Sequence, residues 1–121
     1  MKSKKLWQLS GIFLIATGIL HTVVALVMSK DAFVEIFRNG FFNTIETDVE
    51  LGLAFWFLIC GIMVVFLGQI LHYYIKKEQT PAPKFIGNYL LILSIVGCCI
   101  VPVSGFWLFI PQALIIIFAK K

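Results

Sequence analysis

The sequence predicts an all-α fold: a polytopic membrane protein built as a four-transmembrane-helix bundle, with a short amphipathic helix in its outer loop. Three observations carry that prediction. The 121-residue chain is 60% hydrophobic and only 13% charged, with a mean hydropathy of +0.99, far from the balance of a soluble globular domain. Acids and bases are missing from three long stretches, Leu6 to Ser29, Leu51 to Ile75 and Phe85 to Ala119. The bases fall in short clusters beside those stretches rather than on one basic face, so the net charge of +4 reads as a topology signal and not as a nucleic-acid footprint.

About 20 apolar residues of helix cross a hydrocarbon layer roughly 30 Å thick. The first stretch holds one span, residues 6-29, and the second holds another, 51-75. The third is too long for one helix and accommodates two, 85-101 and 104-119, if the turn between them is tight. Pro102-Val103-Ser104-Gly105 supplies that turn, because proline cannot donate to a continuing helix while serine and glycine accept turn geometry. All four spans lie in a single membrane domain, 1-121, with an outer loop at 30-50 and an inner linker at 76-84.

Orientation follows from the lysines. Lys2, Lys4 and Lys5 precede the first span, Lys76, Lys77 and Lys84 sit in or beside the linker, and Lys120 and Lys121 close the chain. With four spans all of them share one side, which the positive-inside rule makes the cytoplasm. Both termini are then cytoplasmic. The opposite loop carries Asp31, Glu35, Glu46, Asp48 and Glu50 against Lys30 and Arg38. The first apolar run exceeds the core of a secretory signal and no small-x-small cleavage pattern precedes the acidic loop, so it reads as a retained span.

Within the outer loop, Phe33, Ile36, Phe37 and Phe41 recur at helical spacing, with Asp31 near the start and Gly40 near the end. They describe a helix lying in the outer interface or a lid packed on the bundle. Trp7, Tyr73 and Tyr74 near the inner boundary and Trp107 near the outer one read as interfacial anchors. Lipid supplies no hydrophobic drive between helices, so close backbone approach must hold them together. Gly11 and Gly18 are a heptad apart, as are Gly61 and Gly68, and the first two spans are expected to pack along these glycines. On the first helix that face continues through His21 and Ala25.

No Asp, Glu, Lys or Arg lies within a span, which removes the usual carriers of proton coupling and voltage sensing. Small multidrug transporters have similar length and four helices but use a glutamate in the first helix, which is absent here. His21 is the sharpest single residue, since an ionisable group at membrane depth is costly and points to function. Its plain alternative is a neutral imidazole bonded across the helix seam, to Thr17 or a facing carbonyl. At 1.5 Å per residue His21 lies roughly 20 Å above the inner boundary and His72 about 5 Å, so the two cannot share one haem iron. Cys60, Cys98 and Cys99 fall at the level of His21, but no C-x-x-C spacing accompanies them. They read as packing residues, and no metal or other cofactor is expected. Pro111-Gln112 can open a kink and free a carbonyl, making Gln112 either interhelical glue or a ligand contact.

Nucleophile elbow, phosphate-binding glycine loop and metalloprotease motif are all missing, so no catalytic residue is assigned. His21, Asn43, Trp56, Trp107 and Gln112 are the residues expected to line an outer cavity, a few polar contacts within an apolar site. The reading they support is a non-enzymatic binding or accessory protein for a lipophilic ligand or a membrane partner. Two alternatives stand beside it: an enzyme on a lipophilic substrate with His21 as acid or base, and a small transporter working as a homodimer.

Four short motifs carry a resemblance: Gly18-x-x-His21-Thr22, Gly40-Phe41-Phe42-Asn43, Ala54-Phe55-Trp56-Phe57 with Gly61 and Gly68, and Pro102-x-Ser104-Gly105-Phe106-Trp107. Together they resemble an uncharacterised bacterial membrane protein family, a domain of unknown function, over nearly the full length. The resemblance implies four-helix topology and a bacterial membrane setting, and it adds no substrate.

Overall fold

The structure, a computed structural model, describes residues 6–45, 48–102 and 105–120. Lys2, Lys4, Lys5, Lys121, Glu46, Val103 and Ser104, on which part of the charge and turn reading rests, lie outside the described residues. Among those described, the chain is all-helical, with no strand. A 3-10 turn at Leu6–Leu9 leads into α1 (Ser10–Met28), followed by α2 (Lys30–Arg38), α3 (Val49–Glu78) and α4 (Lys84–Ile100); a second 3-10 turn, Gly105–Leu108, leads into α5 (Phe109–Ile117).

Local chemistry sets the ends of these helices. Asp48 caps α3, its carboxylate accepting from the Leu51 N–H at 3.2 Å, with Glu50 in the first turn and Lys76 and Lys77 in the last, charges that complement the helix dipole. Helix α2 closes in a Schellman arrangement: Phe41 N–H reaches Ile36 O at 3.0 Å and Gly40 N–H reaches Phe37 O at 3.2 Å. Gly40 takes φ +92° there, a conformation glycine adopts without a Cβ penalty.

Two helices are long and apolar enough to cross a membrane, Leu6–Met28 and Val49–Glu78. Only 22% of the most apolar stretch of each is buried, so their apolar side chains mostly face outward, Ile19, Val23 and Val27 on α1 and Ile62, Met63 and Phe66 on α3 among them. Helix α4 and the segment Phe106–Ile117 are apolar but shorter. The last apolar stretch is not one continuous helix over 104-119: it begins as a 3-10 turn and becomes α-helical at Phe109. Pro111 falls in the first turn of α5, where a missing N–H breaks no bond, so it marks a helix start and not a mid-helix kink.

Helices α1 and α3 pack antiparallel in close register. A Cβ on Gly18 would stand 2.6 Å from Val65 N, one on Gly61 2.5 Å from Thr22 Oγ1, and one on Gly68 2.6 Å from Ile15 N, while Gly11 faces the backbone of His72. Helix α5 packs on α4 and touches α1, and α2 lies across the ends of α1 and α3. In the α4–α5 pair, Gly87 faces Ile117 and Ala113, and Gly97 faces the Phe106 ring. The apolar core joins the two pairs through Trp7, Leu14, Leu71, Ile75, Ala113 and Ile116. It lies toward the basic end, near Lys76 and Lys84, while Ala25, Ile36, Leu51 and Ala54 are buried at the acidic end where α2 sits.

Candidate functional site

The site begins with the glycine at position 61. With no side chain there, the His21 imidazole comes close to α3, its Cδ2 only 3.0 Å from where a Gly61 Cβ would be. The ring lies against Phe57, with centroids 4.4 Å apart and planes at 57°. Its Nε2 is 3.0 Å from the Phe57 carbonyl oxygen. A carbonyl can only accept, so Nε2 carries the proton and donates. The Nε2 side of the ring is held against α3, and in the tautomer that this bond selects Nδ1 carries the lone pair.

One helical turn away, the Thr17 hydroxyl donates to Phe13 O at 2.8 Å and accepts from Gln112 Nε2 at 2.6 Å. The second hydrogen of the same amide goes to Leu108 O at 3.0 Å. Both neighbours of Nε2 are acceptors here, which fixes the amide's orientation. Gln112 thereby ties α5 to α1, and its Oε1 is buried with no hydrogen-bond partner.

His21, Phe57 and Thr17 form one wall of a cavity of about 380 Å³ near the acidic end. Helix α1 lines it with Thr17, Leu20, His21, Val24 and Met28, α3 with Phe57, and the α4–α5 turn and α5 with Val101, Phe106, Leu108 and Phe109. Its size is within the range of small-molecule sites, and hydrocarbon walls with a few polar groups are their usual make-up.

A family model described as a family of unknown function (DUF6463) matches residues 5–121. The chain belongs to this family. The match takes in α1 to α5 and the whole cavity. No curated protein and no solved structure matches the chain, so the chemistry of this DUF6463 member is read from its own geometry.

Of the five cavity residues expected from sequence, the DUF6463 fold brings two together: His21 lines the cavity, and Gln112 reaches it through Thr17 and Leu108. The other three lie elsewhere. Trp56 is 63% exposed and meets the Phe55 ring edge-on at 5.4 Å. Trp107 is exposed too, with its indole N–H donating to Pro102 O at 2.8 Å. Asn43 follows α2 in an exposed loop at φ +51°. Phe57, Phe106 and Thr17 line the cavity instead. Phe57 was legible, since it stands one helical turn before Gly61 on the seam face. The small residues Gly87, Ser94 and Gly97, all buried on α4, offered the same kind of signal for the second helix pair.

Cys60 and Cys99 are exposed and Cys98 is half-buried; among the described residues no three His, Cys, Asp or Glu side chains are grouped to hold a metal ion. A second cavity of about 340 Å³ lies at the basic end, lined by Gln8, Leu9, Ile12, His72, Ile75, Lys76 and Gln79. There His72 Nδ1 is buried without a hydrogen-bond partner. The antiparallel register places His72 beside Gly11 and His21 beside Gly61, about 16 Å apart along the seam at 1.5 Å per residue.

Proposed function

We propose that this chain is a multi-pass integral membrane protein of a bacterial cell membrane, with four spans and both termini in the cytoplasm, and that it binds a lipophilic ligand in the cavity beside His21. The membrane part rests on apolar side chains facing outward on α1, α3, α4 and α5, with Ile92, Leu93 and Leu114 adding to those named above. Lys76, Lys77, Lys84 and Lys120 fall at one end of the described helices and Asp31, Glu35, Asp48 and Glu50 at the other. Helix α4 has 17 residues and reaches about 25 Å, so the second pair fits a locally thinned bilayer with Lys84 and Lys120 reaching to the interface. Helix α2 buries Ile36 and exposes Phe37, as suits a segment at the outer interface. In a background without the natural cysteines, Asn39→Cys should label from outside intact cells and Gln79→Cys only after permeabilisation. Labelling of Gln79→Cys from outside would overturn the topology.

The observation that carries the functional reading is the cavity itself, lined mostly by apolar side chains with the His21 imidazole and the Thr17 hydroxyl among them. Binding is favoured over catalysis because His21 is the one titratable side chain in the described lining. The nearby hydroxyl of Thr17 donates to Phe13 O and not to His21, so among the described residues the two do not form a hydrogen-bonded nucleophile–base pair. A photoreactive benzoylphenylalanine at Leu20, on the cavity wall, should crosslink a discrete lipophilic species. The same residue at Ile62, exposed on α3, should capture bulk phospholipid. The same phospholipid mixture at both positions would refute the binding reading.

A further inference from the structure

We infer that the ligand of the outer cavity is a neutral lipophilic alcohol, whose hydroxyl donates a hydrogen bond to His21 Nδ1; this rests on the cavity being a ligand site. Every described side-chain donor at the site is already engaged: His21 Nε2–H with Phe57 O, the Thr17 hydroxyl with Phe13 O, and both Gln112 amide hydrogens with Thr17 and Leu108 O. Acceptors are what remain. With the proton placed on Nε2, the ring keeps a lone pair at His21 Nδ1, and Gln112 Oε1 is buried without a partner.

A ligand that brings only acceptors, such as an ether or ketone, meets lone pair with lone pair and leaves its own oxygen unpaired, which is costly in an apolar site. A carboxylate or phosphate fares worse, because no Lys or Arg is in the lining and no free donor meets its charge. A hydroxyl supplies the missing hydrogen. Depth narrows the class further. His21 lies seven residues before Met28, the last residue of α1, about 10 Å below the helix end. A phospholipid cannot carry its ionic headgroup to that depth cheaply, whereas a molecule with one hydroxyl on a hydrocarbon body can.

The test uses the full chain in lipid nanodiscs, with ¹⁵N-histidine and ¹³C-methyl-methionine labels, titrated with 1-dodecanol, 1-methoxydodecane and dodecanoate. The Met28 methyl reports occupancy of the cavity and His21 Nδ1 reports the hydrogen bond, with His21→Phe supplying the assignment. Dodecanol should bind roughly fivefold to tenfold more tightly than its methyl ether, the worth of one hydrogen bond, and should move the Nδ1 resonance while the ether does not. In His21→Phe, the preference should vanish while the ether still binds. Equal binding of alcohol and ether to the wild type would overturn the proposal and leave the ligand site standing, and tighter binding of dodecanoate would overturn it as well. If none of the three moves Met28, the cavity reading falls and the proposal with it. The comparison on wild type alone decides the matter should His21→Phe not fold.

Discussion

Replacing Gly68 by alanine should drive α1 and α3 apart, and the size of the effect can be worked out. The new Cβ would stand 2.6 Å from Ile15 N, 2.8 Å from Ile15 Cγ1 and 2.9 Å from Gly11 O, where ordinary contact begins at 3.4 Å. Two of those three atoms are backbone and cannot swing away, so the helices must separate by the shortfall, about 0.8 Å. A radial gap of that size forfeits roughly a quarter to a half of the dispersion attraction across it. Overpacking of this kind costs about 1–3 kcal/mol, and alanine's better helix propensity returns at most about 1 kcal/mol. The expected net loss is about 1–2 kcal/mol. Gly52, on the same helix, is the control: its Cβ would meet only Ile45 Cγ2 at 3.5 Å, so Gly52→Ala should be neutral or stabilising by up to about 1 kcal/mol. Reversible titration with sodium dodecyl sulfate, followed by tryptophan fluorescence and far-UV circular dichroism, measures both. The double variant Gly18→Ala/Gly68→Ala should cost less than the two singles added, since the first alanine already opens the seam for the second. A Gly68→Ala protein as stable as the wild type would refute the reasoning about the seam.

Other outcomes follow from single contacts. Asp48→Ala removes the cap on α3 and should lower stability by about 1 kcal/mol, with the amides of the first turn exchanging faster with deuterium. Gly40→Ala meets no atom within 4 Å, so its penalty is purely conformational, about 1–2 kcal/mol for a left-handed residue with a Cβ. It should loosen the α2 amides and leave the α1–α3 seam untouched in the same exchange experiment.

Much of the architecture was legible because its cause is local. The charge-free stretches mark where the apolar helices α1, α3 and α4 lie, and the glycine heptads on α1 and α3 fall at their closest approach because only a missing side chain permits such contact. The ending of α2 could be read from Gly40 for a similar reason. What could not be read is which side of each helix meets which neighbour near the acidic end. Trp56 and Phe57 are adjacent in the chain, yet helical geometry turns them about 100° apart, and only the register against His21 decides which one enters the cavity. Gln112 was recognised as a polar residue in an apolar helix. Its partner Thr17 is 95 positions away, a contact that no periodicity announces. Pro111 suggested a kink, because sequence alone could not show that the helix begins only at Phe109.

The central claim is that the cavity between α1, Phe57 and the α4–α5 turn holds a lipophilic ligand, and native mass spectrometry of the gently solubilised protein tests it most directly. The wild-type protein should retain one discrete lipophilic mass. Val24→Trp, which fills the cavity from the middle of its α1 wall, should lose that mass while keeping the same helical content. A wild-type spectrum free of any specific adduct, or the same adduct retained in full by Val24→Trp, would contradict the account.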